Sequence, residues 1–326
     1  MPVPARELRP LMRSHPVHVL PPDLSKWASA PLGVPYVHER RGDVDGPDIL
    51  VTALAHGNEY AGATVISELL SSKWTPTRGR VTFAFCNVVA FHRFDATRPD
   101  ESRFADEDFN RVWGVETLDG PEISSELARA RQLRPFVDRA SHLLDLHSMH
   151  EPSTPLLITG VLKRNIEFAK TLRAHAQIVV DEGHSDGVRM RDYDAFSDMH
   201  GEKIAVLLEA GQHWEASSIA VTRDVLMRFL IQAGAIDLDR APSKWLLPDR
   251  QSLTPVRVTD RVVAQSTSFD FCEPFTGGEV IPHAGTVIAT DAGAQIVTPY
   301  DDCVLVMPSL RQLRPGVTTV RFGKFV

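Results

Sequence analysis

The sequence predicts an α/β fold, a mixed sheet flanked by helices, followed by a small C-terminal all-β domain. Three observations carry this expectation. Up to about residue 240, short apolar runs alternate with stretches of helical periodicity. The 326 residues exceed the usual size of one domain, so two are expected. After Ala241-Pro242-Ser243-Lys244-Trp245 the texture changes to short β-rich runs separated by turn residues. The boundary is therefore placed between 1–241 and 242–326.

The first strand runs through Ile49, Leu50, Val51, Ala53, Leu54 and Ala55, and gives way at His56 to a helix over Glu59–Ser71. Val81–Asn87 reads as the next strand. The stretch Ala90–Gly120 is long, charged and poor in periodicity. Such a loop in a compact domain is usually functional. Glu122–Ser141 and Arg164–His175 read as helices, and Leu143–His147, Leu156–Thr159, Gln177–Asp181 and Ile204–Leu208 as strands. The clearest helix closes this part, with Ile219, Val225, Leu226, Phe229 and Leu230 on one stripe. In the β domain the runs are Val256–Val263, Gly278–Ile281, Gly285–Ile288 and Cys303–Met307. Its Gly-x-x-Ile and Thr298-Pro299-Tyr300-Asp301-Asp302 pattern is similar to the biotinyl/lipoyl carrier fold. A carrier needs an exposed lysine on a tight hairpin, and the only lysine after residue 244 is Lys324, near the terminus. The carrier reading fails.

Composition sets further bounds. A hydrophobic fraction of 43% is ample for globular cores. A net charge of −7, from 35 basic and 42 acidic residues, provides no basic field and argues against a nucleic-acid partner. Cys86, Cys272 and Cys303 are far apart and outside any Cys-x-x-Cys spacing, so they are expected as reduced, mostly buried thiols of a cytoplasmic protein. Met1–Pro22 is broken by prolines and has no continuous apolar core, unlike a signal peptide. No run elsewhere approaches membrane-spanning length, so no membrane partner is expected.

His56-Gly57-Asn58-Glu59 follows the first apolar strand and is the most informative stretch. His and Glu three apart share one face of a helix's first turn and can grip one zinc ion. Catalytic zinc usually takes three protein ligands and leaves a position for water. The third ligand is available in His147, which ends the apolar run Leu143-Leu144-Asp145-Leu146. A His-x-x-Glu pair often arises by chance, and a lone His after a strand is more often a core residue. The combination is stronger because both pieces fall at strand carboxyl ends, where open α/β sheets place their ligands.

Arg103-Phe104-Ala105-Asp106-Glu107-Asp108-Phe109-Asn110-Arg111 extends the pattern. With His56–Glu59, Asp145-Leu146-His147, and Glu209 in Val206-Leu207-Leu208-Glu209-Ala210-Gly211, it resembles the succinylglutamate desuccinylase/aspartoacylase family, relatives of the zinc carboxypeptidases. The resemblance covers roughly residues 45 to 230. It implies a zinc-carboxypeptidase-like sheet, one zinc per chain, and a β domain covering the cleft. It also implies Glu209 as general base and acid, Arg103 at the developing oxyanion, and Asn110 and Arg111 on a substrate carboxylate. Zinc lowers the pKa of bound water toward about 7, and the planar fork of Arg suits a carboxylate better than Lys. Asp106 and Asp108 would orient the arginines from behind, or Asp108 would cap a local turn. Asp145 either supports His147 as a carboxylate behind it or sits under the metal.

The match breaks down where substrate identity is set. Aspartoacylases carry an Arg some ten residues before the catalytic Glu and a Tyr from the C-terminal domain. Here the first region holds Asp198, Met199 and His200, with Arg189 and Arg191 further back, and Val306–Gln312 has no Tyr. A substrate with one carboxylate, or with a neutral or cationic side chain, is therefore expected. Of the extra imidazoles near the motifs (His150, His184, His200 and His213), His200 and His213 are placed to touch it. The expected function is a zinc amidohydrolase deacylating a small N-acyl amino acid or related metabolite. The alternatives are a zinc carboxypeptidase acting on short peptides and, behind it, a non-enzymatic zinc-binding protein. A homo-oligomer is compatible with either enzyme.

Overall fold

The computed structural model describes residues 15–183, 186–250 and 254–326. These separate into two compact units. The larger takes 17–148 and the described residues of 155–250, and the smaller takes 15–16, 149–154 and 254–326.

The larger unit is built on a mixed sheet. In chain order its strands are β1 (Val37–Arg41), β2 (Val44–Ala53), β3 (Arg78–Phe85), β4 (His142–Met149), β5 (Leu156–Ile158), β6 (Gln177–Val180) and β7 (Ile204–Gln212). They lie side by side in the order β1-β3-β2-β4-β7-β5-β6. β2 runs parallel to β3 and β4, β5 parallel to β6, while β1 and β7 pair antiparallel with β3 and β5. The helices are α1 (Ala61–Ser71), α2 (Val88–Phe91), α3 (Val115–Asp119), α4 (Ser125–Arg139), α5 (Lys163–Thr171) and α6 (Ala216–Gln232).

Side-chain alternation along β2 shows why the sheet is covered on both faces. Ile49, Val51 and Ala53 pack into one core with Val65, Ile66 and Leu69 of α1 and Val225, Leu226 and Phe229 of α6. Leu50 joins the other core, with Leu127, Ala130, Leu133 and Val137 of α4. Strands buried on both faces read as continuous apolar runs rather than alternating ones, and that is how the sequence reads here. Gly62 lets α1 press close behind the strand ends. A Cβ there would lie 2.7 Å from the Leu146 Cβ and 2.9 Å from the Ala53 Cβ.

Several element boundaries differ from the sequence expectation. Helix α1 begins at Ala61, not Glu59, so His56–Glu59 form a turn ahead of it, closed by Glu59 N donating to His56 O at 3.2 Å. Within the predicted loop Ala90–Gly120 the chain makes two short 3-10 turns, Pro99–Ser102 and Phe109–Arg111, and the five-residue α3. Residues 242–250 follow the larger unit, because Trp245 is buried in its core and Arg228 of α6 donates to Leu247 O and pairs with Asp249.

The smaller unit is all β. Strands β8 (Val256–Val263), β14 (Thr318–Phe325), β13 (Cys303–Val306) and β10 (Val280–Ile281) pair antiparallel in that order. β12 (Ala294–Val297), β11 (Val287–Asp291) and β9 (Asp270–Phe271) make a second antiparallel sheet. Phe269, Phe271, Phe275, Ile288, Leu305 and Phe322 fill the core. Residues 149–154 join this unit: Thr154 N donates to Gly277 O at 3.2 Å, and Glu151 accepts from His15 and Arg311 at 2.7 and 2.8 Å. Cys86 and Cys303 are buried, Cys272 is exposed, and none of the three is in a disulfide. Among the described residues, no helix is long and apolar enough to cross a membrane.

Candidate active site

The register of β2 and β4 aligns Ala53 with Leu146, so the turn after β2 and the end of β4 emerge together. After β2 the backbone bends through Leu54, at φ 62°, into the His56–Glu59 turn. Gly57 is required there. A Cβ would lie 2.4 Å from Phe91 N and Ser102 O. The turn is tied to the next loop by Gly57 N donating to Arg103 O at 3.0 Å.

His56, Glu59 and His147 come together as a buried group whose ligand atoms all lie within 4.8 Å of one another. The Glu59 carboxylate lies between the two imidazoles: Oε1 is 2.8 Å from His56 Nδ1, and Oε2 is 2.9 Å from His147 Nδ1. Burial works to raise the Glu59 pKa, yet the two imidazoles hold it well below the usual carboxylate range. Two imidazole nitrogens and a carboxylate are the donor set of a hydrolytic zinc site, and the three residues could hold such an ion.

Both imidazoles are backed by carboxylates at Nε2. Asp145 Oδ2 lies 2.9 Å from His147 Nε2, and its Oδ1 accepts from Thr52 Oγ1 at 2.7 Å. Of the two positions open to Asp145 in the sequence, the one behind His147 is observed. Although burial opposes protonation, Asp145 and Glu59 hold the His147 pKa well above its ordinary value. Asp108 Oδ1 is 2.9 Å from His56 Nε2, and the same oxygen accepts from Asn110 N at 2.9 Å, so Asp108 both supports the His56 imidazole and caps the 3-10 turn. Asp106 instead accepts from Ser125 N at 2.7 Å.

Arg103 Nη1 donates to Glu59 Oε1 at 3.0 Å, and Nη2 lies 3.5 Å from Asp108 Oδ2. Asn110 is buried, with Oδ1 accepting from Met190 N at 2.9 Å and Nδ2 3.4 Å from His147 Nε2. Arg111 donates to Asn110 O at 2.8 Å, and its Nε stands 3.3 Å from Asp186. Glu209 lies within β7, opposite Leu156, and the strand continues three residues beyond it. Burial, then the charge of Glu59, pushes its carboxyl up to about 8, with His147 and Arg103 working the other way. Its Oε2 has no hydrogen-bond partner.

Of the two histidines expected at the substrate, His213 is buried, with Nδ1 2.8 Å from the Oγ of Ser148, the residue after His147. His200 is exposed, its backbone N–H donating to Asp198. His184 lies outside the described residues. Sequence reasoning missed Thr52, Ser148 and above all Glu126. It also left Arg189 and Arg191 unplaced; both are buried and paired, Arg189 with Asp181 and Asp192 and Arg191 with Asp192. Only the acid in the first turn of α4 hinted at Glu126, and nothing local signalled its tertiary partners.

Comparison with known proteins assigns the class. The family model described as the succinylglutamate desuccinylase/aspartoacylase catalytic domain matches residues 45–232. Among solved structures, the succinylglutamate desuccinylase/aspartoacylase from Rhodobacter sphaeroides is similar, with a TM-score of 0.65, 17% identity, and 89% and 88% of the two chains covered. The product-bound ectoine utilization protein EutE (DoeB) from Ruegeria pomeroyi has a TM-score of 0.64, 19% identity and 89% of each chain covered. The succinylglutamate desuccinylase from Vibrio cholerae has a TM-score of 0.63, 20% identity, and 90% and 86% covered. No curated protein matches the sequence. The fold and this group of side chains thus define a hydrolase of the deacylase type. The chain belongs to the succinylglutamate desuccinylase/aspartoacylase family.

Proposed function

We propose that the chain is a zinc-dependent deacylase that cleaves the amide bond of a small N-acyl amino acid. The observation that carries this reading is the buried His56–Glu59–His147 group with the unpartnered Glu209 carboxyl in its electrostatic reach. His56, Glu59 and His147 would hold the ion, oriented by Asp108 and Asp145. A zinc ion bound there would supply acidification of water toward a pKa of about 7 and polarisation of the scissile carbonyl.

Glu209 then takes the proton of the attacking water and returns it to the leaving amine, a role suited to a buried carboxyl near neutrality. Arg103, beside Glu59, donates to the oxyanion as it forms. Asn110 and Arg111 bind the substrate carboxylate, Asn110 held by Met190 and Arg111 braced on the Asn110 carbonyl. His213 steadies the end of β4 through Ser148, and His200 reaches substrate from an exposed turn.

The charges around these groups bear on specificity. Arg111 already faces Asp186, and Arg189 and Arg191 are already engaged by Asp181 and Asp192. Among these three guanidinium groups a second substrate carboxylate would meet none without an acidic neighbour, whereas a neutral or cationic side chain would not need one. This favours substrates unlike N-acetylaspartate.

Metal analysis should give about one zinc per chain, with activity lost on chelation. Full zinc loading in a His56→Ala, His147→Ala double variant would remove the ligand assignment. N-acetyl and N-succinyl amino acids, screened against dipeptides, test the reaction. Efficient dipeptide cleavage without deacylation would make the enzyme a carboxypeptidase instead.

A further inference from the structure

We infer that Glu126 is a positioning residue for the arginine-bearing loop: its buried carboxylate, gripped by the backbone of Ala105, Asp106 and Glu107, sets where Arg103 and Asn110–Arg111 stand. Glu126 is the second residue of α4 and is 0% exposed. Its Oε1 accepts from Ala105 N at 2.6 Å and from Asn87 Nδ2 at 2.7 Å. Its Oε2 accepts from Asp106 N at 3.1 Å and Glu107 N at 3.3 Å. No lysine, arginine or histidine among the described residues pairs with it.

A buried carboxylate is costly unless its lone pairs are filled. Here every partner is a donor, and together the four contacts occupy both carboxylate oxygens. Three consecutive N–H groups converging on one anion make a backbone nest. The loop in turn satisfies donors that burial would otherwise orphan. The contact is reciprocal, because Asp106 Oδ2 accepts from Ser125 N at 2.7 Å in the same first turn of α4. Asn87 extends it, its Oδ1 accepting from Ala90 N at 3.1 Å in α2, against whose backbone Gly57 is packed.

The clasped segment lies between the functional positions. Arg103 precedes it by two residues, and Asn110 and Arg111 follow Glu107 by three and four. Arg103 O also accepts from Gly57 N. Holding 105–107 therefore fixes the loop between Arg103 and the Asn110–Arg111 pair. Glu126 itself touches none of these side chains, so it acts through them. The consequence for catalysis rests on the reading of Arg103 and Arg111 given above; the clasp itself does not.

The test uses the zinc-loaded full chain. Glu126→Gln sets an NH2 group against N–H donors, and Asp106→Ala removes the reciprocal bond from an exposed position without burying anything new. Amide hydrogen exchange at 105–107 should accelerate at least about tenfold in Glu126→Gln. Zinc affinity should fall less than kcat/KM, since His56, Glu59 and His147 lie outside this loop and only Asp108, behind His56, lies within it. With the best N-acyl amino acid from the screen, kcat/KM should fall about 10²-fold, the cost of roughly 1 Å of misplacement, and Asp106→Ala should move it the same way by less. Unchanged exchange at 105–107 would overturn the clasp. Faster exchange with unaltered kcat/KM would overturn its positioning role, as would a loss of kcat/KM matched by loss of zinc. If the native chain deacylates nothing in the screen, the functional reading fails, and the exchange measurement still decides the clasp.

Discussion

Replacing Gly57 by alanine would put a methyl carbon 2.4 Å from Phe91 N and Ser102 O and 2.5 Å from the Ala90 carbonyl carbon. All three are backbone atoms, so no side chain can swing aside. Carbon contacts settle at about 3.5 Å, and the turn must therefore retreat by about 1 Å. A zinc site tolerates ligand displacements of only about 0.2 Å, and Gly57 stands between His56 and Glu59, the proposed ligands. The overpacking itself costs about 1–3 kcal/mol, which for a domain of this size is a fall in Tm of roughly 2–4 °C for each kcal/mol. Zinc affinity should drop about 10- to 100-fold, as when the surroundings of other ligands are disturbed. Thermal melts of the chelated protein read the first effect, and competition with a chromophoric chelator reads the second. A chelated Tm within about 1 °C of the native one, together with unaltered zinc affinity, would show that the turn has room the geometry denies it.

Further outcomes follow from the assigned roles. Glu209→Gln should lower kcat by about 10² to 10⁴ while zinc content is retained; near-native turnover would end the case for Glu209 as the base. Arg111→Lys should chiefly raise KM, because one point contact replaces a planar fork, whereas Arg103→Ala should lower kcat by about 10² to 10³. The reverse pattern in steady-state kinetics would exchange their roles. In the chelated protein, burial raises the Glu209 carboxyl from the ordinary 4.5 to about 8, so the folded chain holds a proton that the unfolded chain releases across that interval. The stability this group contributes is full below pH 4.5 and is lost as pH rises through 8. Melts of chelated Glu209→Gln should show a shallower decline in Tm over this window, and an equal decline would place the titration elsewhere.

The elements that could be read from the chain are those whose signal is local. β2 and β4 are continuous apolar runs because each is buried on both faces, and α6 carries an apolar stripe. The grouping of His56, Glu59 and His147 was legible because each lies at the end of such a run, and parallel neighbouring strands end together. Helix α1 was read two residues early because the turn residues His56–Glu59 carry no breaker except Gly57, whose purpose is a close backbone approach rather than an end to helix. The position of Asp145 stayed open because residues two apart on a strand share a face, and sequence spacing does not say whether they touch.

What sequence could not show is how the site is held from a distance. Asp108 reaches His56 across 52 positions, Arg103 reaches Glu59 across 44, and Glu126 reaches the loop backbone across 19 to 21. None of these has a periodicity, since each depends on where separate elements come to rest on the sheet. They also share a logic. Each imidazole of the buried group is backed by a carboxylate, and the loop carrying Arg103 and Arg111 is gripped at 105–107 through three backbone N–H groups, with the Asp106 side chain returning one bond to Ser125 N. A backbone grip leaves the guanidinium groups free for the roles proposed for them, while the neutral donors around Glu126 neither compete with nor screen them. Substitution in the loop should therefore be tolerated at the exposed side chain of Glu107, which contributes only its N–H, and not at Glu126, whose carboxylate nothing local announces.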